Sequence, residues 1–310
     1  MKYHEIPKTS LKTSGVCLGT WVFSGDVWGP TDEKECIDTV RAALDSGINF
    51  IDTAPIYGFG RAEEIVGKAI KGQRKKFVLA TKCGFEWKEK RISHNLKPER
   101  ILKEIDDSLK RLQTDYIDLY QIHWPDVHTP LEETLKTLCE IKAAGKIKYI
   151  GVSNFDEELL KQACEYAEIV TLQNQYSLLK RSIEEKVLPL CLKENVGVLT
   201  YGSLGGGILS GKYKKQPHPS KSDVRNFFYH YYSMDQFPKV HAFVESLKAL
   251  KRPLNQVAIN WVRQQKGVAS VIVGCRTVDQ LKGNAEALTW KLTSHELRYI
   301  DDILEKFSHA

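Results

Sequence analysis

The chain has 310 residues, 42% of them hydrophobic and 27% charged, which is the balance of an ordinary globular protein rather than a disordered one. Its 45 Lys and Arg against 39 Asp and Glu leave a thinly spread formal charge of +6. The one dense basic cluster, Arg74-Lys75-Lys76, reads as a solvated loop, so no nucleic-acid partner is expected.

Seven scattered cysteines without a CxxC pair support neither a disulfide framework nor a zinc knuckle. The N-terminus lacks the apolar core of a signal peptide, and no apolar run approaches the roughly 18 residues of a membrane span. A cytoplasmic protein with no membrane partner is the expectation.

Taken in chain order, residues 2–6 and 11–15 flank a Pro-Lys-Thr-Ser turn and predict an N-terminal β-hairpin closing a barrel floor. Eight short, β-branched apolar runs follow, at 16–20, 48–52, 77–81, 116–121, 148–153, 169–173, 196–201 and 270–274. Between them, apolar residues recur at helical spacing: Ile37/Val40/Ala43, Ile65/Val66/Ala69, Ile101/Ile105/Leu109, Leu131/Leu135/Leu138 and Leu159/Leu160/Ala163. Thr31 and Pro130 open helices, and Gly47 and Gly145 follow helix ends.

Strands alternating with helices imply parallel pairing, and eight units fit an α/β (β/α)8 TIM barrel better than an open sheet. The spacing roughly triples between strands seven and eight. That long loop holds a Gly-rich turn, a polar stretch at 214–222, a Tyr/Phe-rich patch, and helical patterns near 240–250 and 255–265; a last helix is expected near 296–307. No linker divides the chain, so residues 1–310 are expected to form a single barrel domain.

In a barrel, the C-terminal ends of the strands face the site. Those ends carry Asp52, with Tyr57 five residues on, then Lys82, His123, Ser153-Asn154, Gln173 and Tyr201. A phenol normally titrates near 10, but a neighbouring ammonium, held by a carboxylate, lowers that value toward use as a proton donor. Asp52, Lys82 and Tyr57 would supply this set, and His123 would orient a carbonyl oxygen. Singly, each has a plain structural explanation: a turn residue, a solvated strand end, loop packing, a satisfied core histidine. Their joint placement is what points to chemistry.

The runs Asp52-Thr53-Ala54-Pro55-Ile56-Tyr57-Gly58, Arg61-Ala62-Glu63-Glu64 with Gly67, Thr81-Lys82, Asp115 through His123, Gly151-Val152-Ser153-Asn154-Phe155 and Leu172-Gln173-Asn174-Gln175 stand in one order. Together they resemble the aldo-keto reductase superfamily from Leu18-Gly19-Thr20-Trp21 to Asn284. The loop Ser203–Tyr213 is similar to the bacterial branch that also resembles potassium-channel β subunits.

The resemblance implies an NADPH-dependent oxidoreductase acting on small-molecule aldehydes and ketones, a monomer or weak homo-oligomer, with Tyr57 as general acid, Lys82 and Asp52 as its partners, and His123 orienting the carbonyl. It places Gly19, Thr20, Trp21 and Asp52 against the cofactor, Ser153, Asn154 and Gln173 on the nicotinamide carboxamide, and Tyr201 stacked on the ring. Gly202, Ser203, Leu204, Gly205 and Gly206 would embrace the pyrophosphate, with Lys212 and Arg225 as further phosphate contacts or solvated charges. Gly274 and Arg276 would lie by the 2′-phosphate, and Gln280 and Asn284 by the adenine; the family's Glu before that Asn is Gly283 here.

Substrate would meet Trp21, Tyr57, His123 and Trp124, and Trp28, Phe85 and Trp87 are further candidate walls. No GxGxxG fingerprint is present. The competing readings are a Schiff-base enzyme using Lys82, an NADPH-sensing binding protein, and a metal site at His123 and His128; Pro125 and Pro130 disfavour the last.

Overall fold

A computed structural model of the chain describes residues 3–89 and 91–308. The N-terminal hairpin is shorter than expected: β1 (His4–Glu5) pairs antiparallel with β2 (Lys12–Thr13), and residue 2 of the expected strand lies outside the described residues. Its purpose is clear from burial. Ile6 and Leu11 pack with Cys17, Phe50, Leu119, Val170 and Leu199, so the hairpin plugs the N-terminal end of the barrel interior.

The eight expected runs form the barrel: β3 (Val16–Gly19), β4 (Phe50–Asp52), β5 (Val78–Cys83), then, past a second hairpin, β8 (Ile117–Ile122), β9 (Ile147–Ser153), β10 (Ile169–Gln175), β11 (Gly197–Tyr201) and β12 (Val268–Gly274). All neighbouring pairs are parallel, and β9 closes on β10. The strands read as continuous apolar runs because both faces are covered, one by the barrel interior and one by helices.

The second hairpin, β6 (Phe85–Lys88) with β7 (Arg91–His94), was not foreseen. Its two strands are only four residues each and none of those residues is buried, so it lacks the half-buried alternation that reveals a strand. It is tied down at its base, where Arg100 donates to the Phe85 carbonyl (2.7 Å) and Asn95 N to the Gly84 carbonyl (2.9 Å).

The helices α1 (Glu33–Asp45), α2 (Arg61–Ile70), α3 (Pro98–Leu112), α4 (Leu131–Ala143) and α5 (Glu157–Tyr166) carry the expected apolar stripes inward. A short α6 (Val187–Lys193) precedes β11. The long loop after β11 contains α7 (Arg225–Phe228), α8 (Phe237–Ser246) and α9 (Leu254–Arg263); α10 (Val278–Ala285) and α11 (Ser294–Ser308) complete the chain. The first helix is capped by Asp32, whose side chain accepts from Glu35 N, and not by Thr31. Among the described residues no helix is long and apolar enough to cross a membrane.

Two residues of the second motif shape the site. Gly67 lets α2 lie directly on α3: a Cβ there would stand 2.5 Å from the Arg111 carbonyl oxygen. Arg61, at the start of α2, donates to the Phe23 carbonyl and to Thr31, and so anchors the loop after β3 that carries Trp21 and Trp28.

Candidate active site

A cleft of about 1150 Å3 opens at the C-terminal ends of the barrel strands. On its floor Asp52 ends β4, and Lys82 lies on the adjacent β5, fully buried. The Lys82 ammonium donates to Asp52 Oδ1 (2.6 Å), to the Thr53 carbonyl (2.9 Å) and to the Tyr57 phenol oxygen (3.3 Å). Because Lys82 is the donor in the last bond, the phenol keeps its own O–H for an acceptor in the cleft.

His123 follows β8 directly. Its ring meets Tyr57 edge-on (centroids 5.7 Å) and Phe85 (5.0 Å), while Trp21 stacks on the other side of Tyr57 at 5.7 Å. The four residues read from strand ends are therefore one cluster.

The electrostatics are less simple than the sequence suggested. Burial pushes the Tyr57 phenol above its ordinary range, and the Lys82 ammonium pulls it down without cancelling that rise, so the expected net lowering is not met. Burial also works against charge on Lys82, but Asp52 and Tyr57 more than offset it and keep the ammonium protonated.

Burial first, then Lys82 and His94, hold His123 well below the usual imidazole range, so it is a neutral donor or acceptor near pH 7. An imidazole with a depressed folded-state pKa takes up a proton on unfolding. Its contribution is whole above the unfolded value of about 6.5 and is lost as pH falls below it, by up to about 1.4 kcal/mol per pH unit. The urea midpoint of the protein should therefore drop from pH 7 to pH 5 more steeply than that of His123→Asn; equal slopes would show that His123 titrates normally.

The polar wall opposite comes from β9 to β11. Ser153 Oγ donates to the Gln173 carbonyl (2.8 Å), and Tyr201 donates to Asn154 Oδ1 (2.7 Å). Asn154 has φ +61, a left-handed conformation that Asn tolerates better than most residues, and its amide donates to the His123 carbonyl (2.9 Å). Gln173 Nε2 is turned to Asp52 Oδ2 (2.8 Å).

Beyond Tyr201 the cleft passes Gly202, Ser203, Leu204 and Gly206. Gly205 lies behind this surface, its carbonyl bonded by Tyr232. Cβ atoms on Gly206 and Gly207 would stand 3.0 Å from the Tyr229 ring and 3.0 Å from Lys212 Nζ, with the Arg225 stem at 3.3 Å, so the Lys212 ammonium and the stem of Arg225 lie over this turn. Arg225 is held by Asp223 through two bonds (2.8 and 2.6 Å) and by Tyr213 (2.9 Å).

Gly19 and Thr20 line the cleft beside Asp52, whose carbonyl accepts from Thr20 N (3.0 Å), and at the far end Gly274, Arg276, Gln280, Gly283 and Asn284 line it. Arg276 donates to the Trp28 carbonyl, and its backbone N–H is held by Gln280. Asn284 is fixed by Asn255 (2.8 Å) and Cys275. The aromatic wall holds Trp21, Trp28, Phe85 and Trp124 as expected; Trp87 does not reach the cleft but packs behind its wall residue Phe59 and lines a separate groove with Arg100.

Sequence reading missed Gln121, whose amide also reaches Asp52, and the contributions of Phe59, Ile92, Phe228 and Tyr229 to the wall. Gln121 stood inside a recognised run, two residues before His123, where its placement on a barrel strand was the available signal. The aromatic residues belong to loops whose path no periodicity encodes.

A long cleft lined by a glycine turn with the Lys212 ammonium over it, by Arg225, and by Arg276 at its far end suits an extended, phosphate-bearing cofactor. The Bacillus subtilis (strain 168) protein "Aldo-keto reductase YhdN" is 41% identical, the match spanning 98% of this chain and 94% of that one. "NADH-specific methylglyoxal reductase" of Escherichia coli (strain K12) is 34% identical over 98% of this chain and 99% of its own. Among solved structures, the glycerol dehydrogenase AKR11B4 from Gluconobacter oxydans superposes with a TM-score of 0.91 at 38% identity, covering 99% of this chain and 96% of that one. Residues 15–305 match the model of the aldo/keto reductase family, and with the barrel and the relatives this places the chain plainly within that family.

Proposed function

We propose that the protein is an NADPH-dependent reductase of small aldehydes and ketones in which Tyr57 is the general acid. The observation that carries this reading is the Asp52–Lys82–Tyr57 chain ending in a phenol whose O–H points to no protein acceptor among the described residues.

A bound reduced nicotinamide supplies the hydride. The residues of the chain do the rest. His123, neutral and beside Tyr57, donates a hydrogen bond that orients the substrate carbonyl oxygen. Tyr57 gives its proton to the alkoxide oxygen as it forms, and Lys82, already donating to the phenol oxygen, stabilises the phenolate left behind. Asp52 keeps Lys82 charged and in place.

Ser153, Asn154, Gln173 and Tyr201 form the nicotinamide side, Gly202 to Gly206 with Lys212 and Arg225 the pyrophosphate side, and Gly274, Arg276, Gln280 and Asn284 the adenosine end. The three donations by Lys82 use all three ammonium protons, which argues against a Schiff-base role. Trp21, Trp124 and Phe85 favour an apolar or planar substrate.

A panel of aldehydes, ketones, quinones and sugars assayed with NADPH and NADH tests the reading, and no turnover with any of them would remove it. The cofactor assignment has its own test, since one relative is named NADH-specific. Losing a charge-assisted contact to phosphate costs about 1.5–3 kcal/mol, so Arg276→Ala should weaken NADPH roughly 10- to 100-fold and leave NADH nearly unchanged. Equal losses for both cofactors would detach Arg276 from the 2′-phosphate.

A further inference from the structure

The two oxygens of Asp52 have separate partners. Oδ1 accepts from Lys82, while Oδ2 accepts from the amides of Gln173 (2.8 Å) and Gln121 (3.3 Å). Gln121 Oε1 in turn accepts from Gln173 Nε2 at 3.4 Å. Gln121 is fully buried and stands in register with Lys82 across β5 and β8 and with Gly151 across β8 and β9. A Cβ on Gly151 would lie 2.3 Å from Thr171 Oγ1 and 3.0 Å from Gln121 Cγ, so the bare backbone on β9 leaves room for both Thr171 and the Gln121 side chain as it crosses to Gln173 on β10.

We propose that Gln121 is a positioning residue that couples the nicotinamide-side Gln173 to the Asp52–Lys82–Tyr57 chain and sets the acidity of Tyr57. The physical reason is where the carboxylate's charge lies. Two amide donors on Oδ2 draw negative charge away from Oδ1. Without one of them, more negative charge faces Lys82, cancels more of the ammonium's field at the phenol oxygen, and makes the phenolate harder to form. With Gln173 Nε2 engaged by Asp52 and Gln121, its Oε1 is the end left to accept from an amide donor in the cleft.

The other titratable groups facing Tyr57 and Asp52 stay neutral on the alkaline side. His123 is held low by burial, and the Cys17 thiol beneath Asp52 and the Tyr201 phenol are both pushed up by burial.

The inference rests on Tyr57 being the proton-transferring group, and the experiment separates the two. Alcohol oxidation needs the phenolate, so its rate rises with pH along a limb set by Tyr57. Gln121→Met, similar in length and without a donor, should move that limb to higher pH by about half a unit or more, a roughly threefold loss at any pH along it. Gln121→Glu, sharing one proton with Asp52, keeps a donor to Oδ2 and should bring the limb back toward that of the native protein.

A limb unmoved in Gln121→Met, with activity lowered equally at every pH, would reduce Gln121 to a packing residue. So would a limb displaced as far in Gln121→Glu as in Gln121→Met. If Tyr57→Phe still turns over, the reading of Tyr57 fails. If Tyr57→Phe is inactive and the Gln121→Met limb stays put, only the Gln121 assignment fails. Should no alcohol turn over, the same titration is read as the tyrosinate absorbance that Tyr57→Phe removes, with and without Gln121→Met.

Discussion

Tyr57→Phe is expected to lower carbonyl reduction by about 100- to 10,000-fold, the range ascribed to a positioned general acid, while binding of the dinucleotide stays close to that of the native protein. The substitution removes one oxygen. The ring keeps its stacking on Trp21 and its edge contact with His123, so the shape of the cleft is preserved. Lys82 loses one acceptor of three and keeps Asp52 and the Thr53 carbonyl. Single-turnover rates separate the chemical step from release, and titration of the dinucleotide reports binding. Native activity in Tyr57→Phe would transfer the role of proton donor to His123, the other neutral donor against the same space.

Lys82→Met is expected to cost both activity and stability, and the two losses can be told apart. The Lys82–Asp52 pair is buried, and deleting one partner of such a pair typically costs about 3–5 kcal/mol because the remaining charge is stranded. The variant should therefore unfold at markedly lower denaturant. Combining it with Asp52→Asn removes the stranded charge and should return much of the stability. Activity should not return, since the phenol would then lack the cation that stabilises its phenolate, and burial alone already pushes its pKa up. A double variant that regains both would make the ion pair structural only; a Lys82→Met as stable as the native protein would mean that Asp52 protonates freely.

How far the site could be read in advance depends on the kind of residue. Asp52, Lys82 and His123 were legible because they end or directly follow apolar strand runs, and the barrel aims such positions at one mouth. Tyr57 was legible from its place in a short loop fixed by Pro55 and the strand before it. Gln121 was not legible as a partner of Asp52, because the contact reaches from β8 past β5 to the end of β4. Trp87 was misplaced because it stands one pleat further along β6 than Phe85, on the same face but past the mouth of the cleft, where it meets Phe59 and Arg100.

Periodicity and punctuation along the chain were enough to establish eight strands, their intervening helices, the plugging hairpin and the end of the barrel at which the Asp52, Tyr57, Lys82 and His123 cluster stands. These follow from local patterns of burial, and each barrel strand has its covering on both sides. The acidity of the tyrosine was beyond reach in the same way that the Asp52 network was. A linear reading sees that Lys82 can approach Tyr57, but the balance between its field and the cost of burial depends on how completely Trp21, His123 and the strands enclose the phenol. Likewise Arg225 is visible as a cation in the sequence, while its pairing with Asp223 and its station over the Gly206–Gly207 turn exist only once the long loop has folded across the cleft.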